Sequence, residues 1–142
     1  MSAAQSQACS MTELFGEVIS EYSRAQTLAD GVLIDVSYAT KEVGIKYPVA
    51  MTASAYADCV SWSEADSKRK GTVNDERGRV HDVAVMLRYA IRHAVGGSEL
   101  TFGVLRVPRE GRGRAPQLVR LKSTCGPGDD MEPVITIDLA KE

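Results

Sequence analysis

Arg79-Val80-His81-Asp82-Val83-Ala84-Val85-Met86-Leu87-Arg88-Tyr89-Ala90-Ile91-Arg92-His93-Ala94-Val95-Gly96-Gly97 is the stretch whose reading decides the fold. Val80, Val83, Ala84, Leu87, Ile91 and Ala94 recur at helical spacing and form one apolar stripe. The remaining faces carry His81, Asp82, Arg88, Arg92 and His93. The pattern predicts an amphipathic helix over 79–95, stopped by the glycine pair.

Past the glycines the apolar period changes from that of a helix to that of a strand. Leu100 to Val107 and Gln117 to Ser123 read as the two arms of a hairpin, joined by a pliable turn from Gly111 to Ala115. Gly126-Pro127-Gly128-Asp129-Asp130 is a second turn signal. Pro133 to Leu139 is a third strand, with Val134, Thr136 and Asp138 alternating against Ile135, Ile137 and Leu139. Sequential strands with short links predict an antiparallel meander, with the long helix packed on one face.

Working toward the N-terminus, Ser63 to Gly78 is polar, lacks an apolar period and reads as a loop. Before it, short strands and helices alternate. Thr52 caps a helix running through Trp62, and Tyr47 to Met51 is a strand that Pro48 confines to an edge or a start. Ser37 opens a helix ending near Gly44, Val32 to Val36 is a β-rich run, and Ser23 caps a helix over Arg24 to Ala29 with Gly31 as its stop. Leu14, Phe15, Val18, Ile19 and Tyr22 make an apolar turn running into a strand. Residues 1–12 are expected to be a flexible tail. The predicted fold is therefore α+β: a single domain over 13–142, with a polar loop at 63–78. Short alternating strands and helices are followed by one long helix on a C-terminal antiparallel three-stranded meander, all strands sharing one sheet.

A length of 142 residues suits one domain able to bury a core without a metal or disulfide. The formal net charge of −2 is too small to point to nucleic acid or membrane by itself. Cys9, Cys59 and Cys125 are odd in number and widely spaced, which predicts free thiols in a reducing cytosol, with Cys59 a small core residue. No run reaches the roughly 20 apolar residues that span a bilayer, and Met1 to Ser10 lacks the pattern of a signal peptide. A cytoplasmic protein without a membrane partner is expected.

Among candidate sites the basic hairpin stands first. Arg106, Arg109, Arg112, Arg114, Arg120 and Lys122 face only Glu110 in charge between Thr101 and Cys125. Guanidinium forks match carboxylates and phosphates, so these residues are the expected partner-binding set, weighed against a solvated loop that protects a sheet edge. Phe102 is the sole ring there, which disfavours single-strand binding by stacking. Asp129, Asp130 and Glu132 form an acidic turn too short for an EF-hand-type loop. His81 and His93, about 18 Å apart on one helix, cannot share a metal. There is no Walker-type loop and no legible nucleophile–His–acid set, so no catalytic residue, metal or cofactor is expected.

Two resemblances add to this. The unit from Glu21 to Leu33, with Tyr22-Ser23, a short helix and Gly31, is similar to the opening of ADP-ribosyltransferase-type domains. It implies an NAD-using enzyme with Tyr22 and Glu132 at its site, although Glu21 stands where that family carries His or Arg. More extensively, Tyr22 to Gln26, Leu33 to Val36, Lys46 to Thr52, Leu100 to Arg109 and Cys125 to Ile137 resemble a family of small uncharacterised proteins of bacterial plasmids, integrated elements and phages. That resemblance implies a non-catalytic accessory protein that binds and inhibits a host defence component of CRISPR or restriction type. The partner would be a host or element-encoded protein or nucleoprotein, with direct nucleic-acid regulation as the alternative. Opposite charge patches leave a homodimer open.

Overall fold

The computed structural model describes residues 23–94 and 96–140. The expected tail over 1–12 and the apolar segment from Leu14 to Tyr22 lie outside the described residues. Ser23 opens α1 (Arg24–Ala29) with a capping box: its hydroxyl accepts from the Gln26 N–H and its own N–H donates to the Gln26 side chain. β1 (Leu33–Asp35), α2 (Ser37–Glu42) and β2 (Val49–Thr52) follow. Thr52 then caps α3 (Ala53–Cys59) by accepting the Ala55 N–H.

The stretch read as a loop over 63–78 is instead mostly helical, a correction with a local cause. Ser63 and Asp66 form a second capping box that starts α4 (Glu64–Lys70). Glu64 and Asp66 sit in its first turn and Lys68, Arg69 and Lys70 in its last, which complements the helix dipole. Gly71, at φ +65°, ends it in the left-handed conformation glycine allows. Asp75 caps the long helix α5 (Glu76–Arg92) by accepting the Gly78 N–H at 2.7 Å, so α5 starts before the expected Arg79 and stops before Val95.

β3 (Glu99–Arg106), β4 (Gln117–Pro127) and β5 (Pro133–Leu139) form the expected antiparallel meander. β5 also pairs in parallel with β2, and β2 with β1, giving one five-stranded sheet in the order β1-β2-β5-β4-β3. The helix-bearing face supplies Val49, Met51, Phe102, Leu121, Ile135 and Ile137 to the core. From α5 come Val80, Val83, Ala84 and Leu87, the first four members of the stripe read in the sequence; Ile91 is 39% exposed and Ala94 lies past the end of the helix, so the stripe stops a turn early. On the other face Leu105 and Leu118 pair across β3 and β4 with both side chains in solvent. Gly103 permits that packing, since a Cβ there would lie 2.8 Å from a Leu118 methyl.

Candidate functional site: a clamped arginine hairpin

Residues 107–116 connect β3 to β4 and carry the arginine-rich tip. Such a loop has carbonyls that no neighbouring strand can satisfy. Here they are taken up by cations from the helical side. Lys70, at the end of α4 and 2% exposed, donates its ammonium to the carbonyls of Glu110 (3.3 Å), Gly111 (3.0 Å) and Gly113. Arg69 donates to the Arg109 carbonyl at 2.8 Å.

The base of the hairpin is fixed by Arg79, which the sequence placed only as a helix start. It is 4% exposed and donates to the carbonyls of Val60 (3.1 Å), Val107 (3.0 Å) and Asp58 (3.3 Å). Its guanidinium lies 4.6 Å over the Trp62 ring, whose indole N–H donates to Ser67 in α4. Burial lowers the Arg79 pKa, with the neighbouring Cys59 and Asp58 opposing that shift. Buried cations of this kind persist only when hydrogen-bonded, and these carbonyls supply one bond to each of the three Arg79 nitrogens.

The tip's own arginines divide into two groups. Arg106 pairs with Asp58 at 2.7 Å and Arg109 with Asp66 at 2.7 Å. Burial works against charge on Asp66. The Ser63 backbone and hydroxyl, together with Arg109, outweigh it and bring the carboxyl down to about 2. Lys122 makes a looser pair with Glu99 at 3.7 Å. Arg112, Arg114 and Arg120 are exposed and have no ion-pair partner within 4.0 Å among the described residues. The structure thus gathers Arg109, Arg112 and Arg114 at the tip. Arg120 and Lys122 lie along β4, and Arg106 is withdrawn into an internal contact.

The acidic turn is structural. Asp129 accepts the N–H groups of Arg24 (2.7 Å) and Ala25 (3.0 Å), and so tethers α1 to the β4–β5 turn. Glu132 accepts the Asp130 N–H at 2.9 Å. Tyr22 and Glu21 lie outside the described residues. Among the described residues no three His, Cys, Asp or Glu side chains form a metal-binding group, and no helix is long and apolar enough to cross a membrane.

Sequence reasoning missed Lys70 and Arg79, which shape the site without belonging to the exposed set. The usable signal was Ser63-x-x-Asp66 ahead of Gly71, which marks a helix whose last residue is Lys70. No curated protein and no solved structure matches the chain. The profile of a family of unknown function, DUF6573, matches residues 11–142, and the chain belongs to that family.

Proposed function

We propose that this chain is a non-catalytic binding protein that docks its arginine hairpin onto an acidic surface of a partner protein or nucleoprotein. The observation that carries this reading is the contrast within one loop. Its backbone is held by the buried Lys70, while Arg112 and Arg114 are exposed and make no ion pair among the described residues. A loop held in shape before binding loses less entropy on docking, and unpaired guanidiniums lose no internal partner. Their fork geometry suits carboxylates and phosphates.

The resemblance to proteins of plasmids, integrated elements and phages supports a finer version. In it the partner is a host defence component of CRISPR or restriction type, inhibited by occupation of its nucleic-acid-binding surface. The test is capture by the tagged chain from host lysate, with and without nuclease, beside an Arg112→Ala/Arg114→Ala variant. Stoichiometric recovery of one protein that survives nuclease, reduced at least about tenfold in the variant, is the expected result; that loss equals about 1.4 kcal/mol. Equal recovery by the variant would remove the hairpin as the contact. Recovery of nucleic acid alone would move the function to a nucleic-acid-binding regulator, whose affinity falls steeply with salt.

A further inference from the structure

A second feature lies at the opposite end of the β3–β4 ladder. The ladder runs from Glu99↔Thr124 to Arg106↔Gln117, so at about 3.3 Å per residue the two ends are roughly 20 Å apart. α5 stops at Arg92, and the segment joining α2 to β2, with Gly44 at a φ of +93°, faces it through Ile45, Lys46 and Tyr47. Between them, over the end of the sheet, lies a cleft of about 600 Å³. Such a volume falls in the range of small-molecule sites.

Its floor is aliphatic, built from Ile45, Leu100 and Ile135, with Ile91 as a wall. Ser123 and Cys125, two apart on β4, point from the same face of the strand into this floor. Ser123 is 4% exposed, and its hydroxyl has no hydrogen-bond partner among the described residues. A buried hydroxyl without a partner is uncommon and marks a place where a ligand or water belongs. Among the described residues, Lys46, Arg88 and Arg92 line the rim, no carboxylate lines the cleft, and none of the three cations has an ion-pair partner. The larger cleft of about 820 Å³ beside Tyr38 and His81 is different: it mixes Glu42, Asp75 and Asp82 with Arg77, and its Asp75 carboxylate is already committed to capping α5.

We infer that the Ser123 cleft binds a small amphipathic organic acid. Its carboxylate sits among Lys46, Arg88 and Arg92, its apolar body lies over Ile45, Leu100 and Ile135, and a second oxygen meets the Ser123 hydroxyl. This site does not depend on the hairpin reading and stands or falls separately.

The probe is 10-hydroxydecanoate, compared with uncharged 1,10-decanediol. Cys125 supplies a built-in reporter in a Cys9→Ser background. Cys59 is 1% exposed and burial pushes its thiol up to about 12, so it stays silent toward alkylation. Saturating 10-hydroxydecanoate should slow alkylation of Cys125 at least about fivefold, and calorimetry should show the diol binding at least about tenfold more weakly. An Arg88→Gln/Arg92→Gln variant, changed only at exposed positions, should lose a similar factor while keeping its circular dichroism. Ser123→Ala should weaken the acid about threefold or more. Equal binding of acid and diol, or unchanged Cys125 reactivity at saturating acid, would overturn the inference.

Discussion

At the hairpin end of the β3–β4 ladder, Lys70 and Arg79 are almost wholly buried and donate to six backbone carbonyls. At the cleft end, Lys46, Arg88 and Arg92 stand exposed over an aliphatic floor that holds a hydroxyl with no partner among the described residues. The same residue types thus do two kinds of work. Buried cations satisfy carbonyls that an irregular loop cannot pair, and so act as internal struts. Exposed cations without carboxylates keep their full capacity for an outside anion. Counting positive charge along the sequence does not separate the two; the burial of each side chain and the identity of its acceptors do.

The sharpest way to break this contrast is to remove a strut. Lys70→Met and Arg79→Met each strand three carbonyls, and each should lower unfolding free energy by about 2–4 kcal/mol in urea titrations. A loss below about 0.5 kcal/mol would mean that water replaces the strut at no cost. Arg106→Ala should cost about 1–2 kcal/mol, because its side chain is only 14% exposed and holds Asp58. Arg112→Ala and Arg114→Ala should stay within about 0.5 kcal/mol of the parent. Similar losses for all three arginines would erase the distinction between committed and free residues.

Two smaller effects refine the comparison. At the cleft end Ser123→Ala removes a hydroxyl with no partner among the described residues, so stability should be unchanged or rise by up to about 1 kcal/mol. A clear loss would reveal a hydrogen bond at that hydroxyl. At the hairpin end Asp66 titrates near 2 in the folded chain against an ordinary 3.8. A depressed folded pKa gives stability that is present above pH 3.8 and is lost as the pH falls toward 2. Asp66→Asn should therefore be less stable than the parent at neutral pH and should flatten the acid limb of the stability curve. Parallel acid limbs would remove Asp66 from the clamp.

Much of the fold was legible because it is periodic. The α5 stripe as far as Leu87, the alternation in β5, and the Ser23 and Thr52 caps follow from rules of local geometry, and the structure places these close to their expected positions. The polar stretch was misread because α4 spans only seven residues and carries no apolar stripe, so only its end signals could reveal it. The basic hairpin was visible as composition. Its division was not, because Arg106 and Arg109 find Asp58 and Asp66 at separations of 48 and 43 residues. Arg79 gave no sign that it would be buried, since its acceptors are backbone carbonyls and a ring brought near by the fold. The cleft had no local signature either, being assembled where α5, β3, β4, β5 and the α2–β2 connection end.

The most direct test of a clamped hairpin is backbone ¹⁵N relaxation across Glu110 to Arg114. Order parameters near about 0.85, matching β3 and β4, are the predicted result, with a fall in the Lys70→Met variant. Values below about 0.6 in the parent would show that Lys70 does not hold the loop, and would contradict the presentation of Arg112 and Arg114 from a preformed tip.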